Sequence, residues 1–157
     1  MFLNKVIATF FGIGYIGKGS GTVASIAFCA LLYLIVAANH FSQAGLIVFT
    51  LVAFAAGVLA GNQLESIWGK DSKMIVIDEV LGMAVSLLFL PVNLMTLGLG
   101  LLLFRYFDIF KPLYIRRTEK LKGGWGVMTD DLVAGIYTNI VLQVFIYFYN
   151  ADHAVIH

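Results

Sequence analysis

The sequence has few charged residues, only one cysteine and little excess charge of either sign. Charged residues make up 12% of the chain, about half the share in a soluble domain, so lipid is indicated as the solvent. The net charge of +1 excludes the basic field that nucleic-acid binding requires. The single cysteine, Cys29, lies in an apolar run and excludes both an internal disulfide and a cysteine-based zinc site.

Apolar residues are abundant, at 61% of the chain. Segments of roughly 17 residues or more are candidate membrane spans, and they are Thr22–Ala38, Ala44–Gly61, Ile75–Leu90, Leu94–Phe110 and Leu132–Tyr149. The third and fourth are short and separated only by Pro91, Val92 and Asn93, so they are either two spans or a helical hairpin that crosses only part of the bilayer. The sequence predicts a single all-α membrane domain over residues 1–157, with four or five membrane helices.

The basic residues predict the orientation of these helices. All ten Lys and Arg fall in three places: Lys5 and Lys18; Lys70 and Lys73; and Arg105, Lys111, Arg116, Arg117, Lys120 and Lys122. With five spans, these places alternate with connections that carry no basic residue. Short basic loops remain in the cytoplasm. We therefore predict a multi-pass protein with a cytoplasmic N-terminus and an external C-terminus.

The acidic residues concentrate on the same side as the basic ones. The acids assigned to that side are Glu65, Asp71, Asp78, Glu79, Asp108, Glu119, Asp130 and Asp131, and only Asp152 falls on the other. The histidines, His40, His153 and His157, all map to the opposite side. This separation disfavours a histidine nucleophile, a His-based zinc site and a Ser-His-Asp triad.

A glycine-rich segment, residues 12–22, precedes the first apolar run and contains five glycines in eleven residues. Glycines let backbone amides approach an anion, and the helix that follows offers its positive end. Residues 12–18 match the start of a nucleotide-binding P-loop, but Gly19 stands where a Mg²⁺-binding Ser or Thr is needed. The alternatives are a phosphate-binding loop that contains Lys18 and a flexible re-entrant loop.

Two pairs of adjacent acids enter apolar segments, and a glycine follows each pair one helical turn later. They are Asp78 and Glu79 with Gly82, and Asp130 and Asp131 with Gly135. Each glycine leaves room for a ligand or a neighbouring helix beside the carboxylate. The alternative function for both pairs is to favour the positive end of a helix dipole.

A third group, Arg105, Asp108 and Lys111, is spaced at intervals of three residues, so its members share one side of a helix end. Pro112 is expected to stop that helix. The group is either part of a functional site or a local ion pair with a lysine that reaches the membrane surface.

The predicted topology brings all these groups to one membrane face. Charged groups near hydrocarbon cost at least ~2.5–3.5 kcal/mol at mid-span, which makes them functional candidates. The acids Asp78, Glu79, Asp130 and Asp131 suit Mg²⁺, a hard cation with oxygen ligands. Lys18, Arg105 and Lys111 suit phosphate oxygens. The residues themselves therefore predict a magnesium-dependent phosphate site.

At these residues the chain resembles the phosphatidylglycerophosphatase A family. The matching motifs are Gly21-Thr22, Asp78 to Met83, Phe104 to Pro112 and Gly123 to Gly135. The resemblance implies Mg²⁺-dependent removal of phosphate from phosphatidylglycerophosphate, yielding phosphatidylglycerol in the bacterial cytoplasmic membrane. We also expect Thr22 of the Gly-Thr motif to bind phosphate, and Arg105, Asp108 and Asp131 to take part in catalysis, with Asp108 as another metal ligand or a proton carrier.

Two other classes remain as alternatives from the residues alone. Intramembrane carboxylates also serve transporters and proton-coupled proteins, but such relays need polar groups through the depth of the membrane. A lipid phosphotransferase would use similar metal chemistry on a nucleotide-activated lipid. The sequence leaves open the oligomeric state and whether water or a carboxylate attacks the phosphate.

Overall fold

The computed structural model describes residues 1–69, 72–112, 115–118 and 121–154. These residues form helices and no strand, which confirms the all-α prediction for the described part of the chain. The helices are α1 (Phe2–Ala8), α2 (Ser20–Ala37), α3 (Gln43–Trp68), α4 (Ile77–Ser86), α5 (Leu94–Phe110), α6 (Ile115–Thr118) and α7 (Gly124–Ala154), with a 3₁₀ turn at Ile13–Ile16. Lys70, Asp71, Glu119, Lys120 and His157 lie outside the described residues, as do the side chains of Arg116, Arg117, Asp152 and His153.

Three of the described helices, α2, α3 and α7, are long and apolar enough to cross a membrane. Their outward faces carry exposed apolar side chains, among them Leu34 on α2, Leu51 and Leu59 on α3, and Phe148 on α7. Exposed apolar surface of this extent marks contact with lipid or another partner rather than with water.

Local sequence fixes where α3 begins and where α5 begins and ends. Ser42 caps α3 by accepting a 3.0 Å hydrogen bond from the Gly45 amide. Asn93 and Thr96 form a capping box at the start of α5, in which each side chain satisfies a backbone amide of the first turn. At the other end of α5, Lys111 adopts the left-handed conformation (φ 45°), and Pro112 follows it.

The third predicted span, Ile75–Leu90, differs from the helix that forms there. Helix α4 has ten residues, a length of about 15 Å, so by itself it is half the length that hydrocarbon requires. After α4 the chain turns at residues 87–93 and returns as α5. The first arm of this turn is therefore shorter than the predicted span, and α5, with 17 residues, is the longer arm.

The tip of the α4–α5 hairpin is nevertheless anchored at the far end of the bundle. The Gln43 side chain donates to the Leu90 carbonyl (3.1 Å) and accepts from the Phe89 amide (3.1 Å). The Asn139 side chain donates to the carbonyls of Ser86 (3.1 Å) and Leu88 (2.8 Å). These bonds satisfy backbone groups that α4 leaves free where it ends.

Helix α4 is the centre of the bundle. It contacts α2, α3, α5 and α7, and the run from Val80 to Ser86 is buried. The start of α4 lies beside the starts of α2 and α7 and the end of α5. We call this the site end of the bundle, because it places Asp78 and Glu79 among the charged residues of the other helices.

Candidate functional site

A cavity of about 230 Å³ opens at the site end, and most of its polar side chains are carboxylates. The acids that line it are Asp78 and Glu79 from α4, Asp108 from α5, and Asp130 and Asp131 from α7. Lys111, Lys73, Ser72, Ile75, Gly126 and Val127 complete the wall. The structure thus brings together acids from three helices that are far apart in sequence.

Three of these acids form the tightest group. Asp78, Glu79 and Asp131 each offer a carboxylate oxygen, and these oxygens lie within 4.8 Å of one another. Asp131 is buried, with 3% of its surface exposed, and the other two are partly buried. Like charges this close repel strongly where water is scarce, so the group requires a cation or protons to balance it.

Close helix packing at glycines makes this grouping possible. A side chain on Gly82 of α4 would lie 2.7 Å from the Asp131 carbonyl oxygen, and one on Gly135 of α7 would overlap the Gly82 carbonyl. A side chain on Gly21 of α2 would collide with the Glu79 carboxylate. Neighbouring helices therefore fill the space that the sequence predicted beside Gly82 and Gly135. This close packing brings the acids of the different helices together.

Arg105 joins the acids from the α5 side. Its Nη1 atom lies 2.7 Å from Asp108 Oδ2 and 3.9 Å from Glu79 Oε1. Its Nε atom is buried and has no hydrogen-bond acceptor among the described residues. The guanidinium is thus held at the edge of the acidic cluster with donor capacity to spare.

Lys111 is paired with an acid of the same cavity. Its Nζ atom donates to Asp130 Oδ2 at 2.7 Å, and the other Asp130 oxygen accepts from the Asp131 amide at 3.1 Å. Asp130 is therefore satisfied by groups of the chain itself. This pairing separates Asp130 from the three-acid group, although the sequence predicted the same metal-binding function for both acid pairs.

Of the four predicted phosphate-binding residues, Lys111 lines the cavity, and Arg105 contacts the cavity's acids from behind the lining. Lys18 and Thr22 lie away from the cavity wall. Lys18 is exposed and Thr22 is partly buried in the first turn of α2, and neither is among the described residues that line the cavity. The glycine-rich loop is connected to the wall differently, through a 3.1 Å hydrogen bond from the Ser20 hydroxyl to the Lys73 carbonyl. Gly21, rather than Thr22, touches the site.

Sequence reasoning missed Ser72 and Lys73 as wall residues. The signal available was that Lys73 belongs to a short basic connection on the predicted cytoplasmic side. A loop residue has no helical periodicity to indicate its direction, so only the structure shows that it faces the acids.

The cavity has unsatisfied oxygen atoms that a cation would complete. Asp78 Oδ1 and Glu79 Oε2 are buried and have no hydrogen-bond partner among the described residues. A buried polar atom without a partner costs about 1–3 kcal/mol, and more when charged. Oxygen donors of this kind, drawn together around one point, fit a hard divalent cation.

The acids do not continue through the depth of the bundle. Residues 20–37, 43–64, 80–86, 94–104 and 132–151 contain no Asp, Glu, Lys or Arg. His40 lies in the connection between α2 and α3, at the end opposite the site. This distribution argues against a proton relay or ion pathway across the membrane.

The chain matches the sequence profile of the family described as "Phosphatidylglycerophosphatase A" over residues 6–146. A Bacteroides thetaiotaomicron protein named "Putative phosphatidylinositol-3-phosphatase" is 42% identical over 151 residues, covering 91% of this chain and 93% of its own. Proteins named "Phosphatidylglycerophosphatase A" are similar as well. That of Haemophilus influenzae is 33% identical (89% and 88% covered), and that of Escherichia coli is 32% identical (87% and 80%). No solved structure matches the chain.

Proposed function

The chain belongs to the phosphatidylglycerophosphatase A family, and on that premise we propose that it hydrolyses phosphatidylglycerophosphate to phosphatidylglycerol and phosphate in a Mg²⁺-dependent reaction. The protein is an enzyme, a lipid phosphatase. The observation that supports this proposal best is a group of three carboxylates at one end of an apolar helical bundle: Asp78, Glu79 and Asp131. Two lysines, Lys73 and Lys111, line the same cavity.

The donor set fits magnesium. Asp78, Glu79 and Asp131 would hold the ion, since their oxygens lie close together and two of them have no partner among the described residues. Mg²⁺ binds one or two carboxylates and retains several waters, so three nearby acids suffice. Asp130, which Lys111 already satisfies, would act beside the metal rather than on it.

A bound Mg²⁺ would supply charge neutralisation and polarisation of the phosphoryl oxygens. The chain's own cations complete the anion site. Arg105 presents a planar fork that matches two phosphate oxygens, and Asp108 holds that fork in place at 2.7 Å. Lys111 and Lys73 line the acidic cavity itself. They would add positive charge where negative charge develops on the transferring phosphoryl group.

The protein's own packing keeps this arrangement rigid. The Asp131 backbone is packed against Gly82, and the partly buried Glu79 carboxylate is packed against Gly21. Preorganised charges of this kind stabilise a transition state without rearrangement, and they act more strongly where water is scarce.

We place the site at the cytoplasmic face of the bacterial inner membrane, with a cytoplasmic N-terminus. The support is that basic residues gather at the site end while the α2–α3 connection and the hairpin tip carry none. We infer five passages of the chain between the two faces: α2, α3, α5 and α7 each make one, and the shorter α4 makes the third together with residues 87–90. In a Cys29→Ser background, cysteine at Lys18 should react with an impermeant maleimide only after cells are broken. Cysteine at Asn39 should react in intact cells, and the reverse pattern would invert the topology.

The test of the reaction is phosphate release from phosphatidylglycerophosphate by purified protein in detergent micelles. We expect saturable release with Mg²⁺ and none with EDTA. Asp131→Asn should abolish release, and Glu65→Gln, a partly buried acid outside the cavity, should not. Absence of release from the wild-type protein with Mg²⁺ would refute the proposed substrate, and equal release in EDTA would refute the metal.

A second candidate substrate is phosphatidylinositol-3-phosphate, because the 42% identical relative carries that substrate in its name. Both lipids present a phosphomonoester on a polar alcohol attached to a phosphodiester, so the same cavity suits either. The two are assayed side by side at equal surface concentration. A higher kcat/KM for the inositol lipid would assign the chain to that reaction.

A further inference from the structure

A second cavity, a groove between α2 and α5, lies outside the acidic site. It has a volume of about 380 Å³ and is lined by apolar side chains, with the Tyr33 hydroxyl and the Cys29 thiol as the polar groups. Ile26 and Ala30 form part of its α2 side, and Gly98 and Leu101 part of its α5 side. A side chain added at Gly98 would meet no atom within 4 Å among the described residues, so the groove is open there.

One face of α5 leads from the groove to the candidate active site. Leu94, Gly98, Leu101, Arg105 and Asp108 follow one another at intervals of four and three residues, which places them on a single side of the helix. The first three belong to the groove, and the last two pair with each other at the acidic cavity. The apolar stripe thus ends at the guanidinium.

The α2 residues that line the groove also lead toward Arg105. Gly21 packs against the Glu79 carboxylate, and Glu79 lies 3.9 Å from Arg105. Ile26, five residues after Gly21, is the groove residue on α2 nearest to this contact along the chain. The contact between Glu79 and Arg105 therefore lies beyond the groove's last residues, Ile26 and Leu101, on the side of the charged cavity.

We propose that this α2–α5 groove holds an acyl chain of the lipid substrate while the phosphate lies in the acidic cavity. The inference rests on the proposed function, since it assigns a chain-binding subsite to the same reaction. Leu94 and Arg105 are eleven positions apart on α5, which is about 16 Å along the helix axis. This length is about half the ~30 Å hydrocarbon thickness, which is the reach of one acyl chain whose headgroup lies at Arg105.

The other apolar cavity, between α2 and α3, does not fit this function. It is lined by Phe28, Phe49 and residues of the α2–α3 connection, including His40 and Phe41. It therefore lies at the end opposite the acids. None of the described residues that line it belongs to α5, so no face of that helix leads from Arg105 into it. Leu101 of the α2–α5 groove, by contrast, lies one helical turn from Arg105.

The groove contributes positioning more than affinity, because a chain leaving the bilayer exchanges one apolar environment for another. Filling it should therefore displace the headgroup. Ala30→Phe inserts a ring into the groove, and Ala55→Phe adds the same ring to an exposed position on α3. We expect Ala30→Phe to lower kcat/KM for a dioleoyl substrate about tenfold more than for its dihexanoyl analogue. Ala55→Phe should leave both values unchanged, and equal effects of Ala30→Phe on both lipids would overturn the proposal.

Gly98→Leu is a second variant that does not endanger folding, because leucine favours a helix more than glycine does and the space is open. It should reproduce the chain-length effect of Ala30→Phe while the melting temperature is kept or raised. An unaltered preference between long and short chains in this variant would contradict a chain-binding groove.

A binding measurement separates the groove from the reaction. The full-length protein in nanodiscs is irradiated with phosphatidic acid that carries a diazirine near the end of one acyl chain, and labelled peptides are identified by mass spectrometry. We expect labels on the α2 and α5 groove residues, lost in Ala30→Phe. Labels spread evenly over lipid-facing residues, Ala55 included, would refute the groove. If the wild type hydrolyses neither long nor short phosphatidylglycerophosphate, the proposed function fails, and the labelling alone then decides the groove.

Discussion

Gly82 and Gly135 face each other where α4 packs against α7, and each occupies a position at which a Cβ atom would strike the other helix. The Gly82 Cβ position lies 2.7 Å from the carbonyl oxygen of Asp131. The glycine contact and the acidic cluster are therefore one structural unit, since the backbone that carries Asp131 is held against α4 by the same close approach.

Gly135→Ala should separate α4 from α7 and impair both stability and activity. Over-packing of a filled interior costs about 1–3 kcal/mol, and the shift would move Asp131 away from Asp78. The measurements are thermal unfolding in detergent and phosphate release. Gly98→Ala, at an open position, is the control for stability and should not lower the melting temperature. Wild-type stability in Gly135→Ala would show that the helices can part without cost.

Magnesium should stabilise the folded protein through the three-acid group. A ligand at 100 times its Kd adds about 2.7 kcal/mol to stability, which appears as a rise in melting temperature when Mg²⁺ replaces EDTA. Asp131→Asn should raise the melting temperature in EDTA, because it removes one of three mutually repelling charges. It should also shrink the Mg²⁺-induced rise. A full Mg²⁺ response in Asp131→Asn, equal to that of Glu65→Gln, would refute the assignment of the site.

Arg105→Lys keeps the positive charge but should lower the rate of phosphate release. A lysine can neutralise the phosphate, but it cannot grip two oxygens at once or fill the contacts with Asp108 and Glu79. We expect kcat to fall about 10²-fold with the melting temperature nearly unchanged. Full turnover at saturating lipid with an unchanged KM would make Arg105 a structural partner of Asp108 only.

Lys111→Met should destabilise the protein because it leaves the buried Asp130 carboxylate without its 2.7 Å partner. Loss of one member of a fully buried pair costs about 3–5 kcal/mol, and we expect about 1–3 kcal/mol here because the pair is partly exposed. Asp130→Asn in the same chain should recover part of that loss. Additive effects of the two substitutions would show that the residues are not coupled.

Much of the fold could be predicted from composition and pattern. The shortage of charge and the long apolar runs require a lipid-facing helical protein, because hydrocarbon forces every backbone group to be satisfied within a helix. The same shortage made the remaining charges conspicuous. The sequence pattern predicts the charged residues that the described structure gathers at one end: Asp78, Glu79, Arg105, Asp108, Lys111, Asp130 and Asp131.

The length of α4 could not be read from the apolar run at Ile75–Leu90. Apolar composition indicates burial, and burial by four neighbouring helices looks the same in sequence as burial in lipid. The helix ends at Ser86 because Gln43 and Asn139 satisfy the backbone groups beyond it. Those partners lie about fifty residues away on either side, so no local pattern contains them.

The sequence by itself determined which residue types meet at the membrane face, because helical periodicity and the cost of charge in lipid act locally along the chain. Only the tertiary structure decided which of them touch. Gly21, and not Thr22, contacts the site, and Lys73, and not Lys18, lines the cavity. Three of the four predicted metal ligands form one group, and the fourth, Asp130, pairs with Lys111. The physical reason is that these choices depend on backbone approaches of a few ångströms between helices, and on loop conformations such as the positive φ of Gly17 and Gly19. Packing across the whole bundle sets both.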